Sequence, residues 1–517
     1  MISYLIFIPI VSALILLTWP VRHVKLIRWW VLGVSLAQIV VLSGILIHYD
    51  PHDSWQYLEK TSWFSLSLGT WGQLQAEYLV ALDGLSLPLV ALSVFILLIA
   101  VISSWNTREN EKGYWILFLI LNGSIIGTFC ALDLLLFYVF FEFMLIPMYF
   151  LIGMWGGPRR EYASIKFFLY TLLGSIFILI GIIVLYLSYQ DPTQPGLAHT
   201  FNIIHLSNPA NVIPESWLDG SQTDHRVILF SILFIGFAIK LPAVPLHTWL
   251  PDAHVEAPTA ISVVLAALLL KMGGYGLIRF VYPALPDAAL AMNYTVAVVG
   301  VISILYGAIN ALASKDLKRL VAYSSVSHMG FVLLGLASGT SEGVSGAIYQ
   351  MISHGLISAM LFVLVGVLYD RTHDRDINHY SGLSNRMKPF TGFVLLAFFA
   401  SMGLPGFSGF IGEVLVFLGA FRSSTLGTLD AWIAILATVG LVLGAGYYLW
   451  TLQRMFFGPF SSHTSAENLT DLTTREYVML VPLAGTILLL GILPQVLMQY
   501  INPFVQQFMM LLAQVTF

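Results

Sequence analysis

Four ionisable residues, Glu142, Lys240, Lys271 and Glu413, sit near the centres of long apolar stretches. If those stretches cross a membrane, each charge costs about 2.5–3.5 kcal/mol to place there. Two carboxylates and two amines cancel, so one reading is a pair of buried ion pairs that hold helices together. Buried ion pairs stabilise poorly beside apolar packing of the same volume. A proton path accounts better for the expense. Burial and a movable counter-charge let such groups exchange protons near neutral pH.

Histidines accompany them. His247 and His254 follow Lys240, His328 lies in SSVSHMGF (324–331), and His354 lies in MISHGLISA (351–359). Any one alone is as readily a hydrogen-bonded core residue. Four in or near apolar spans read as relay stations between the lysines and glutamates. His225, His373 and His379 fall in loops and read as solvated. Ligation of a heme by His328 and His354 is conceivable, but relay roles explain both equally well. No glycine-rich fingerprint follows a strand, and no His or carboxylate cluster has metal-ligand spacing. The single cysteine, Cys130, excludes a disulfide framework and a cysteine-ligated cluster. No cofactor, metal or nucleic acid is expected on this chain; lipid is.

The elements that carry these residues follow from composition. Hydrophobic residues make up 58% of the 517 and charged residues 10%, against about 25% charged in a soluble protein. Mean hydropathy is +0.84. The expected fold is an all-α polytopic membrane protein. About 14 apolar segments are long enough to cross ~30 Å of hydrocarbon. They are 2–20, 29–48, 79–105, 112–132, 133–154, 164–189, 226–250, 257–281, 291–312, 319–339, 346–369, 390–421, 429–457 and 476–499. A tight turn near Leu132 and Asp133 separates two of them. Met1 to Leu17 is apolar with its basic residues behind it, so it reads as a retained span and not a cleaved signal. Residues 501–517 read as an interfacial helix.

With the N-terminus outside, 17 of the 23 lysines and arginines fall in inside loops, among them Arg22 and Arg108. Lys60, Arg226, Arg279 and Arg422 fall outside, and Lys240 and Lys271 remain in spans. Both termini then face outside. The outside loop 49–77 holds Trp55, Trp63 and Trp71, and alternation from Trp63 to Leu68 suggests a short hairpin. The loop 190–225, with Pro192, Pro195, Pro209 and Pro214, reads as an irregular cap.

Two spans are interrupted in mid-membrane. One carries Lys240-Leu241-Pro242-Ala243-Val244-Pro245, the other Gly403-Leu404-Pro405-Gly406. Each is the fourth span of a block of five, 112–281 and 291–457. Five is odd, so the second block runs inverted relative to the first. Residues 1–111 precede the blocks and 458–517 follow them. Inverted repeats with paired breaks at Pro242, Pro245, Pro405 and Gly406 mark a transporter site, although membrane helices also tolerate proline without one.

These motifs carry a resemblance over nearly the whole chain. FFEFMLIPMYFLIGMWGG (140–157), IKLPAVPLHTWLPDAHVEAPTA (239–260), LLLKMGGYGLIRF (268–280), KRLVAYSSVSHMGFVL (318–333), ISHGL (352–356), GLPGFSGFIGE (403–413) and LDGLSLPL (82–89) resemble the antiporter-like proton-translocating subunits of NADH–quinone oxidoreductase, respiratory complex I. Glu413, where L-type and N-type relatives typically carry lysine, resembles the M type, called subunit 4 in mitochondria. The resemblance implies Glu142 and Lys240 as a coupled pair, Lys271 as the central carrier and Glu413 as the terminal carrier toward the outside. It places His247, His328 and His354 on a connecting axis. It implies a bacterial cytoplasmic membrane and partner subunits that include the L-type and N-type relatives. Flavin, iron–sulfur clusters and quinone would belong to other subunits. A related multi-subunit cation/proton antiporter, or a non-conducting structural subunit, are the competing readings. Phe141 stands where many relatives have tryptophan, and Ile261 where they often have glycine.

Overall fold

The computed structural model describes residues 1–20, 24–67, 73–107, 109–194, 198–219, 223–462 and 469–513. Arg22, Leu68, Trp71, Arg108 and Pro195, used above for topology and loops, lie outside the described residues. The chain starts with α1 (Ile2–Thr18), α2 (Val24–Ile47) and an antiparallel hairpin of β1 (Gln56–Ser67) and β2 (Gln73–Leu82). Next come α3 (Ser86–Ser103), α4 (Glu111–Cys130), α5 (Leu134–Phe143), α6 (Leu145–Trp155) and α7 (Arg160–Ser188). The short α8 (Ile203–Leu206) lies in the following loop. Helices α9 (Thr223–Lys240) and α10 (Trp249–Glu256) flank the first break. Then α11 (Thr259–Val264), α12 (Leu270–Gly276) and α13 (Tyr282–Ala284) run on through two π-helical turns, Leu265–Leu269 and Leu277–Val281.

The second half holds α14 (Pro286–Ala313), α15 (Leu317–Ala337) and α16 (Ser341–Thr372). A two-residue strand, β3 (Tyr380–Ser381), follows, and α17 (Lys388–Ser401) and α18 (Ser408–Thr425) flank the second break. After α19 (Ala431–Phe456), β4 (Ser461–Ser462) pairs with β3, and α20 (Thr474–Ile492) and α21 (Gln495–Ala513) close the chain.

Helix starts follow local capping chemistry. The Asp133 carboxylate accepts from the backbone N–H of Leu135 and Leu136, both at 2.9 Å, and starts α5 straight after α4. Asp316 does the same for α15. Thr473 and Glu476 form a reciprocal capping box on α20. Eleven helical stretches among the described residues are long and apolar enough to cross a membrane, and α1 and α17 are shorter apolar helices. The protein is a polytopic membrane protein.

Most helix ends lie a few residues from the sequence reading, and the following differences change an element. Leu79–Leu82 belong to β2 and not to a span. Asp83 stops the strand there, because its carboxylate accepts from the N–H of Leu85 and Ser86 and opens α3. Gln495–Gln499 belong to α21, since Pro494 cannot continue α20. That terminal helix buries Leu497, Ile501, Val505, Phe508 and Leu512, one stripe at helical spacing. The hairpin has strands of 12 and 10 residues, longer than the short one expected.

Burial sorts the helices. The apolar windows of α16 and of the α11–α13 stretch are wholly buried, and that of α15 nearly so. Helices α7 and α19 instead expose Ile176, Ile180, Ile183, Ile435, Val439 and Val442. Lys271, His328 and His354 ride on the buried helices, away from hydrocarbon, where a charge is least tolerable.

Candidate functional site

Lys240 ends α9, where the break begins. The break leaves backbone groups without helical partners, and side chains take them up. Trp249 Nε1 donates to the Ile239 carbonyl at 2.9 Å, and Val244 N–H donates to Ser303 Oγ at 3.0 Å. The Lys240 ammonium is buried with no hydrogen-bond partner. It lies over the faces of Phe141 at 5.0 Å and Phe167 at 5.6 Å, a cation–π arrangement. Phe141 therefore has a direct contact with the lysine, which local packing alone would not require. Half-buried Glu142 sits at the end of α5 beside Ser175, and its Oε1 has no hydrogen-bond partner. Among the described residues no ion pair within 4 Å joins Glu142 to Lys240, so the implied coupled pair is not in contact.

The second group lies close together. Lys271 is fully buried between the two π turns. Its Nζ donates to the Ala266 carbonyl at 2.6 Å, within the first π turn, and lies 2.8 Å from His354 Nδ1. The rings of His354 and His328 are 5.3 Å apart between centroids. His328 Nδ1 lies 3.5 Å from Glu413 Oε1. Glu413 is buried and folds back on the second break. A Cβ at Gly403, whose φ is +70°, would collide with its carboxylate. Glycine is thus needed there both for the left-handed backbone and for the close approach.

His247 and His254 are not part of this chain of contacts. His247 packs edge-on to Tyr306 with Nδ1 unpartnered. His254 stacks on Phe362 at 4.4 Å with neither ring nitrogen partnered. His379, read as solvated, pairs with Asp374 at 2.6 Å, and that hydrogen bond holds its pKa above the usual imidazole range. Arg279, read as an outside-loop cation, is buried. Its Nη2 lies 2.5 Å from Asp83 Oδ1, and Trp55, Tyr275 and Phe504 surround the guanidinium.

The neutral partners were missed. Ser401 Oγ lies 3.2 Å from His328 Nε2 and 2.7 Å from the Tyr448 hydroxyl. Gln350 Nε2 lies 3.1 Å from His328 Nδ1. Gln350 stands four residues before His354, one helical turn away on the same face, and that spacing was the available signal. Among the described residues no group of three His, Cys, Asp or Glu is placed to hold a metal ion.

Residues 131–444 match the family described as NADH:quinone oxidoreductase/Mrp antiporter, TM. The chain is 41% identical over 481 residues to the NADH-quinone oxidoreductase subunit M of Rhodobacter capsulatus, covering 92% of this chain and 89% of that one. A chain of respiratory complex I from Thermus thermophilus with bound NADH superposes with a TM-score of 0.84 at 29% identity, over 99% of this chain and 100% of that one. A chain of the Mrp complex from Dietzia sp. shares the fold, with a TM-score of 0.82 at 19% identity over 98% and 97% of the two chains.

Proposed function

This chain belongs to the NADH:quinone oxidoreductase/Mrp antiporter transmembrane family, and on that premise we propose that it is the M-type (subunit 4) membrane-arm subunit of NADH–quinone oxidoreductase and carries protons. Lys271 is the central carrier. It passes its proton through His354 and His328 to Glu413, the terminal carrier toward the outside. The observation that carries this reading is the 2.8 Å contact between Lys271 Nζ and His354 Nδ1, deep in a buried stretch that leads on to Glu413. Lys240 and Glu142 form the inner half of the path, with Lys240 held by aromatic faces until a charge change brings Glu142 toward it. Ordered water bridges the gaps around His247 and His254, as water does between polar groups too far apart to touch. The two blocks 112–281 and 291–457 act as inverted repeats around the breaks. Electrons, flavin, iron–sulfur clusters and quinone stay on other subunits, and L-type and N-type relatives are neighbours in the arm.

Glu142→Gln keeps the shape of the side chain and removes its charge. The substituted subunit should assemble, with coupled proton translocation lowered at least tenfold, while Glu142→Asp keeps part of it. Translocation measured in vesicles with the intact complex reads this out. A normal rate in Glu142→Gln would remove the inner half of the path.

We also place both termini outside a bacterial cytoplasmic membrane. Reporter fusions after Lys25, Lys166 and Arg319 should then report cytoplasm, and fusions after Gln56 and Leu218 the opposite face. An inverted signal at any site would break the span order.

A further inference from the structure

The hydrogen bonds around His328 run in one sense. Ser324 Oγ donates to the Val321 carbonyl at 2.8 Å, and Tyr448 OH donates to Ser324 Oγ at 3.1 Å. The Tyr448 oxygen is then the acceptor for Ser401, 2.7 Å away. Ser401 has given its one proton, so at 3.2 Å its oxygen accepts from His328 Nε2. His328 Nε2 therefore carries the ring proton, and in the neutral ring Nδ1 is bare. Gln350 Nε2 donates to that bare nitrogen at 3.1 Å. Glu413 Oε1 waits 3.5 Å from the same nitrogen, with no proton to receive. Meanwhile Gln350 Oε1 is buried without any hydrogen-bond partner, which leaves one end of the amide unsatisfied.

We propose that the Gln350 amide is a two-position gate between His328 and Glu413. A second proton on His328 must go to Nδ1, because Nε2 is already protonated. Two donors then face each other, and the amide turns half a revolution to present its orphaned oxygen. The turned state pairs Oε1 with the Nδ1–H, which is shared with Glu413, and moves the unpartnered end of the amide to Nε2. In the transfer that follows, the His328 Nδ1–H bond breaks and an O–H bond forms on Glu413. The imidazolium becomes neutral, the carboxylate becomes a carboxylic acid, and the amide returns. The charged and titratable groups around this ring are Lys271 on α12, His354 on α16, Glu413 on α18, and Tyr448 with its neighbour Tyr447 on α19. With the amide nitrogen in place, Glu413 receives nothing until His328 has been loaded.

The gate rests on the relay reading above, and its removal has its own signature. Gln350→Met fills the space without hydrogen bonds, and Gln350→Glu keeps the shape but, ionised, offers only acceptor oxygens. Neither keeps the amide N–H that occupies Nδ1 before His328 is loaded. In the intact complex both should lower the protons moved per electron by the share this subunit carries. Quinone reduction should fall no more than about fivefold, the size of one lost hydrogen bond. An unchanged ratio overturns the gate. So does a parallel fall of both activities, or failure of both variants to assemble, since each points to a merely structural glutamine. His328→Ala in the same assay separates the two readings. If it pumps normally, the relay itself has failed; if it is inactive while the Gln350 variants keep their ratio, only the gate has.

Discussion

Lys271→Arg should yield an assembled complex whose quinone reduction and proton translocation fall at least about 10²-fold, the usual lower size of a lost proton-transfer group. Arginine keeps the charge and the donors that meet the Ala266 carbonyl and His354 Nδ1. It cannot give up its proton at any accessible pH. Its larger head must fit a fully buried site, at about 1–3 kcal/mol of overpacking. Lys271→Met controls for that. It is one atom shorter than the lysine, unbranched and uncharged, so it removes the proton carrier without crowding, and it should be as inactive. Assembly is checked by co-purification of the other subunits, and activity by NADH oxidation and vesicle acidification. If Lys271→Arg pumps at the wild-type rate, the lysine supplies only charge and the central-carrier role falls.

Glu413→Gln should be similarly inactive, with Glu413→Asp partly active. Glutamine keeps the size that seats against Gly403 and the reach toward His328, but it has no proton to pass on. A passive counter-ion for Lys271 would behave differently, because its loss would leave a buried cation unpaired and destabilise the subunit first. The geometry already weighs against that role. Among the described residues no ion pair within 4 Å joins Lys271 to Glu413, and the basic partner of the carboxylate is His328. The expected result is therefore normal assembly and thermal stability with translocation lost. Wild-type pumping by the glutamine variant would move the exit elsewhere, and unfolding before inactivation would restore the counter-ion.

The sequence by itself determined that this is a helical membrane protein, where its chain breaks, and which charges sit in mid-span. Those facts are one-dimensional. A lysine in an apolar run is costly wherever the run packs, and a proline interrupts a helix whatever its neighbours. The resemblance in its motifs gave the family for the same reason. Tertiary structure alone decided who touches whom. The resemblance implied Lys240 and Glu142 as a pair, yet aromatic faces hold the lysine. Arg279 looked like a loop cation, yet Asp83, 196 residues away, buries it. Gln350, Ser401 and Tyr448 carry no charge and are ordinary helix residues in sequence. Their meaning arises from the rotation of α16, α17 and α19 about their axes, which points three polar groups at one another and at His328. Side-chain period fixes which residues share a helix face, but packing against other helices fixes where that face looks, and that packing sums contacts from the whole chain.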